Sequence, residues 1–175
     1  MKYKVLVLLI LFVVAVLFFL PVQQAFTFTE HRTEHPKLFY IPVESDKSFQ
    51  IRYVHSIHLT DVIESYEITA DQQIRLVSMQ YEDLAIGLPG YAEEGETFSV
   101  NDGVYTLTYD DNVIDSFVML IGNVDAALAF RYIGNELDIK KRLVRGKSYT
   151  FCVKKLSIYQ LLKGVNMNGQ KDKAA

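Results

Sequence analysis

The stretch Phe49–Thr69 reads FQIRYVHSIHLTDVIESYEIT, and a little further on Tyr81–Pro89 reads YEDLAIGLP. In the first, Phe49, Ile51, Tyr53 and His55 alternate with Gln50, Arg52 and Val54. Val62, Glu64, Tyr66 and Ile68 then share one parity of a second run. Strict alternation is the mark of a strand with one buried face, so the stretch predicts a β-hairpin. A loop centred on His58 and Leu59 would set Tyr53 opposite Glu64, Ile51 opposite Tyr66 and His55 opposite Val62. His55 and Glu64 then become diagonal neighbours on an otherwise apolar face, with Cα atoms about 7–8 Å apart. Slipping the pairing by one residue would send the two groups to opposite faces.

Working outward, Gln73–Met79 predicts a third strand, and IGLPGYAEEGE must be a loop. Asn101-Asp102-Gly103 joins Phe98–Val100 to Val104–Tyr109 as a hairpin, and Asp110-Asp111-Asn112 reads as a turn into Val113–Ile121. Gly134-Asn135 marks another hairpin between Ala126–Ile133 and Glu136–Ile139. Ser148–Lys155 is a further strand, and Leu156–Leu162 fits either a strand or a short helix. On the N-terminal side Leu38–Val43, with Pro42, suits an edge strand. Short strands at regular spacing with turn signals between them indicate a mainly antiparallel all-β domain, a small sandwich or an open barrel.

Ahead of it stand Lys2 and Lys4 and then an unbroken apolar run, Val5–Leu20. Such a run makes a helix of about 24–27 Å, close to the thickness of a hydrocarbon core. Gln23 occupies the position where a signal cut after Ala25 wants a small residue, which favours an uncleaved anchor. The expected organisation is therefore a transmembrane anchor or uncleaved signal over 1–22 and a polar stalk over 23–37. A β domain over 38–163 and a flexible tail over 164–175 complete it. The two lysines put the N-terminus inside and the domain on the extracytoplasmic side of the cell membrane.

Composition removes several functions. A net charge of −3 with a pI near 5.8 gives no global case for nucleic acid. One cysteine, Cys152, allows no intrachain disulfide and reads as a small buried hydrophobe. The IGLPG loop lacks the Lys-Ser/Thr ending of a phosphate loop and carries Glu93 and Glu94, and no cofactor is expected. Lys140, Lys141, Arg142, Arg145 and Lys147 form a basic loop, read as solvated, with anionic headgroups as the sharper alternative. His31 and His35, without thiols nearby, read as part of the stalk.

The residues that stand out are His55, Ser56, Glu64, Tyr66, Gly87 and Pro89. A carboxylate on an apolar face needs a partner, and His55 supplies one in a structural pair. The same residues, with the backbone of Gly87–Gly90, could line a small binding site. His55, His58 and Glu64 give three metal ligands at hairpin spacing, without a confirming motif. A hydrolase with His55 and Glu64 as acid–base pair is the least favoured reading. Ser56 is no nucleophile for His55, since strand neighbours point to opposite faces and no G-x-S-x-G elbow surrounds it.

Tyr53, His55, Ser56, Glu64, Tyr66 and Gly87 together resemble the hallmark of a bacterial family, the domain of unknown function 1850. That hallmark is an aromatic-x-His-Ser strand end, a Glu with an aromatic two residues on, and a Gly-containing turn. Ala85-Ile86-Gly87-Leu88-Pro89 keeps one glycine where the family commonly has two. The resemblance implies a small exported or membrane-anchored domain, frequently encoded beside TRAP transporters of the TAXI type. With it comes a non-enzymatic role assisting a solute transporter; a ligand- or metal-binding module is the alternative.

Overall fold

The alternation at Phe49–Ile68 does build a hairpin, seen in a computed structural model that describes residues 2–55, 57–84 and 87–168. The chain opens with α1 (Lys2–Phe19), followed by β1 (Pro21–Glu30), β2 (Leu38–Pro42), β3 (Ser48–Val54) and β4 (Asp61–Ile68). Then come β5 (Ile74–Tyr81), β6 (Glu96–Asn101), β7 (Val104–Ile114), β8 (Ser116–Leu120), β9 (Leu128–Tyr132) and β10 (Asn135–Asp138). A single turn, α2 (Ile139–Arg142), leads to β11 (Ser148–Ser157), α3 (Ile158–Lys163) and β12 (Val165–Asn166). Among the described residues the strands form two sheets, ordered β12-β2-β1-β11-β8 and β10-β9-β3-β4-β5-β7-β6. All pairs are antiparallel except β12 on β2. The fold is mainly β, with no closed barrel.

The sheets face each other across an aromatic core. Phe26 and Phe28 of β1 and Phe151 of β11 are fully buried and meet Phe49 of β3 and Phe130 of β9. Phe117 of β8 stacks on Tyr66 of β4 at 6.0 Å. Edge-on and offset ring pairs of this kind add to plain area burial.

Three expected boundaries are corrected. Gln23–Lys37 is not a stalk: β1 runs to Glu30 between β2 and β11, with Ala25, Phe26, Thr27 and Phe28 all at 0 % exposure. The reason is that Phe26 and Phe28 alternate with Thr27 and Thr29, and the threonine side is covered too. Thr27 donates to the Cys152 carbonyl at 3.0 Å, and Ala25 packs with Tyr40 and Leu156. Nor does the fold end at Lys163. After α3, Val165 and Asn166 pair with Phe39 and Tyr40, and Met167 is fully buried. Asp110-Asp111-Asn112 is not a turn either. Strand β7 continues to Ile114 through a bulge in which Tyr109, Asp110 and Asp111 oppose Val77 alone.

The undecided Leu156–Leu162 is both things. Strand β11 ends at Ser157, whose side chain accepts from the Gln160 N–H while Gln160 returns to the Ser157 N–H, a capping box that starts α3.

Both expected hairpins form with two-residue turns of positive φ, Asp102-Gly103 (50° and 82°) and Ile133-Gly134 (46° and 69°). The second sits one residue earlier than Gly134-Asn135. A β-branched residue in the left-handed region is strained. Ile133→Asn is therefore expected to raise stability by about 1 kcal/mol, read as a higher urea midpoint at unchanged slope.

Candidate functional site

Glu64 lies on the inner face of β4, sharing its parity with buried Val62, Tyr66 and Ile68. Its neighbours across the sheet are Ile51 and Met79. Tyr66 sits two residues along the same strand, and Tyr53, opposite Val62, is the diagonal neighbour on β3. Both phenols donate to the carboxylate. Tyr53 reaches Oε1 at 3.3 Å and Tyr66 reaches Oε2 at 2.6 Å. The Tyr66 ring is fixed between Phe49 at 5.1 Å and Phe117 at 6.0 Å, so its hydroxyl is aimed by packing. A carboxylate in apolar surroundings is thus held by one hydroxyl on each oxygen, a charge-assisted arrangement. Among the described residues no cation is paired with it.

The tyrosines feel that setting. Burial pushes the Tyr53 and Tyr66 phenols well above the ordinary value, and the adjacent Glu64 charge adds to it. Tyr109, turned by the β7 bulge, is pushed up to about 12 by burial first, then by Glu96 and Glu64. The sign follows from proton binding. Above pH 10 the unfolded chain sheds phenolic protons that the folded chain keeps, so stability is intact below that pH and falls as pH rises beyond it. Urea midpoints measured from pH 8 upward are expected to stay level to about pH 10 and then drop. Tyr66→Phe should flatten that drop.

His55 does not join this centre. The pairing is offset by two residues from the expected register, with Tyr53 rather than His55 opposite Val62 and Ile51 rather than Tyr53 opposite Glu64. An even offset keeps every side chain on its expected face, yet it carries His55 past the strand end. The His55 N–H donates to the Thr60 carbonyl, its own carbonyl accepts from the Leu59 N–H, and Leu59 adopts φ 57° to close the loop. Its ring accepts from the Ile57 N–H at 3.4 Å and lies 5.9 Å from the His58 ring. The proposed His55–Glu64 pair, whether structural or acid–base, is therefore replaced by Tyr53 and Tyr66. His55, His58 and Glu64 are not assembled as ligands, and among the described residues no three His, Cys, Asp or Glu side chains group to hold a metal. Ser56 lies outside the described residues.

Gly87 takes φ 93°, a backbone that favours glycine, and the Pro89 carbonyl accepts from the Tyr81 hydroxyl. This bond ties the loop to a phenol at 1 % exposure on the inner face of β5, while the loop itself, from Gly87 to Tyr91 with Glu93 and Glu96, lines a hollow of about 350 Å³. The five singled-out positions that are described thus fall into separate groups: Glu64 with Tyr66, His55 with its own loop, and Gly87 with Pro89. Tyr53, Tyr81 and Tyr109 were missed as site residues. The correct register would have exposed Tyr53; nothing in the sequence marks the bulge that turns Tyr109.

Two other surfaces belong in the picture. On the outer face of the seven-stranded sheet a hollow of about 540 Å³ is lined by Gln50, Ser65, Glu67, Arg131 and Glu136. Gln50 donates to Ser65 at 3.1 Å and Arg131 to Glu136 at 2.6 Å, so its polar groups satisfy one another. The basic loop is likewise engaged: Lys140 with the Val124 carbonyl, Lys141 with Asp138, Arg145 with Asp125, and Lys147 with buried Glu30.

A family model described as a domain of unknown function, DUF1850, matches residues 49–139, more than half of the chain. The chain belongs to this family. No curated protein and no solved structure matches it. The DUF1850 segment supplies nearly all of the seven-stranded sheet together with β8, and it holds Glu64, both of its tyrosine donors and the Gly87 turn. Strands β1, β2, β11 and β12, which complete the facing sheet, lie outside it.

Proposed function

We propose that the protein is a membrane-tethered, non-enzymatic accessory domain on the extracytoplasmic side that assists a solute transporter in the same membrane. The observation that carries the tether is the junction at Leu20–Pro21. Helix α1, with mean hydropathy 2.5 and no buried residue, passes without a spacer into β1, an interior strand of the five-stranded sheet. The anchor helix runs directly into a core strand of the domain, so the domain is held at the bilayer rather than swinging on a leash. Lys2 and Lys4 ahead of the helix favour the extracytoplasmic side. The transporter follows from the family resemblance, a warrant of association rather than of mechanism.

The test has two arms. Right-side-out membrane vesicles should retain the protein through alkaline carbonate washing, and protease added outside should remove the domain. Cross-linking in the native membrane should then recover a multi-pass solute carrier. Release by carbonate would end the tether reading, protection from protease would move the domain to the other side, and persistent monomer in mild detergent would end the accessory role.

A second reading, a small-ligand module, is favoured by one observation: the Glu64 carboxyl accepts from two phenols and, among the described residues, has no paired cation. It fits an ammonium group among aromatic rings. A thermal-shift series with small organic amines should show stabilisation that Glu64→Gln removes.

A further inference from the structure

Helix α3 wears its apolar residues on the wrong side for a soluble domain. Leu161 packs inward with Ala25, Tyr40 and Leu156, and its carbonyl accepts from the Tyr40 hydroxyl at 3.1 Å. The helix is further held by the Ser157–Gln160 capping box, so its orientation is set. Its other face carries Ile158 and Tyr159, each 39 % exposed, and Leu162, 74 % exposed. Positions i, i+1 and i+4 lie on one side of a helix.

That face is continuous with the end of α1. The Tyr159 ring lies 6.1 Å from the Phe18 ring and 5.4 Å from Phe19, two residues before β1 begins. Lys163 extends over the Tyr159 ring at 5.7 Å, its ammonium at the edge of the apolar surface. Tyrosine beside lysine, flanked by aliphatic side chains, is the composition of a membrane–water boundary: the phenol and ammonium stay wet while their apolar bodies enter.

We propose that α3 is a second membrane contact, whose Ile158–Tyr159–Leu162 face lies in the headgroup–acyl boundary of the bilayer that α1 crosses. The occupant is phospholipid. The inference rests on the tethered reading and deepens it: with two contacts, α1 and α3, the domain has a fixed tilt on the membrane. An exposed apolar helix face elsewhere would fit a protein partner as well; here it joins a helix that is itself apolar all round and unburied.

The chain contains no tryptophan, so one introduced residue reports its own surroundings. Three full-length single-tryptophan variants, Phe12→Trp, Leu162→Trp and Val144→Trp, would be reconstituted in phosphatidylcholine–phosphatidylglycerol nanodiscs. Each would be measured with and without lipids brominated near the headgroup end of the acyl chain. Val144 adjoins Tyr149, whose strand position is opposite Glu30 at the far end of β1 from the junction. Leu162→Trp is expected to emit further to the blue and to lose about half its intensity to brominated lipid, as an interfacial residue does. Phe12→Trp should be quenched and Val144→Trp should not. Quenching of Phe12→Trp with none at Leu162→Trp would overturn the α3 contact and leave the anchor standing. No quenching at Phe12→Trp would remove the anchor and this inference with it. Equal quenching of all three would mean non-specific adsorption and equally overturn the proposal.

Discussion

Replacing residues 23–37 by a flexible Gly/Ser segment of equal length is expected to abolish the cooperative unfolding transition. On a stalk reading the same change would be harmless, so the experiment separates two organisations of one chain. The exchange deletes β1 except for its first two residues. Phe26 and Phe28, both fully buried, go with it, and so do the ladders to β2 and β11. Truncating one buried Phe costs about 3–5 kcal/mol, and two such losses reach the whole stability of a typical domain, about 5–15 kcal/mol. The measurement is circular dichroism through a urea titration: a sloping, transition-free curve is expected. A milder variant guards against simple failure to express. Phe26→Leu should retain the transition and lower stability by about 1–1.5 kcal/mol. A wild-type curve for either variant would mean that β1 is no part of the core.

Why β1 escaped the sequence while β3 and β4 did not is a matter of what each face meets. Strands β3 and β4 bury one face and wet the other, so Phe49, Ile51 and Tyr53 alternate plainly with Gln50 and Arg52. Strand β1 is buried on both faces, and its second face is built of Ala25, Thr27 and Thr29. Thr27 reads as polar in sequence and is satisfied in the fold by the Cys152 carbonyl. Glu30 reads as solvated, yet its side chain is 6 % exposed and meets Lys147, which holds its carboxyl below the usual carboxylate range. Pairing partners more than a hundred residues away are not visible in local alternation.

The two-residue register offset has a different origin. Alternation fixes parity, and parity was right: Glu64 does face the core. It cannot fix the length of the turn, which depends on Leu59 entering the left-handed region and closing the loop on His55. That one choice moved the glutamate's partner from an imidazole to two phenols. The family segment shares the limitation, because the seven-stranded sheet it builds buries its aromatic face largely against Phe26 and Phe28 of β1 and Phe151 of β11, from outside it, alongside Phe117 of β8 from within. Glu64, by contrast, takes both of its phenol donors, Tyr53 and Tyr66, from within the segment.

The second large effect concerns that glutamate. Tyr66→Phe removes the 2.6 Å donor and leaves one carboxylate oxygen without its hydroxyl, at an expected cost of about 1–3 kcal/mol. Removing both donors, in Tyr53→Phe/Tyr66→Phe, should cost more than the sum of the singles, because either phenol alone still stabilises the charge. A centre that serves only the fold has a specific signature. Adding Glu64→Leu to the double variant removes the stranded charge as well, and apolar replacement of a whole polar group of similar size is close to neutral. The triple variant is therefore expected to recover most of the lost stability, read from urea midpoints at neutral pH. If the carboxylate instead exists to receive an ammonium ligand, the triple variant will be as stable as predicted and still lose every amine-induced rise in melting temperature. A triple variant no more stable than the double would show that Glu64 is held by contacts other than the two phenols.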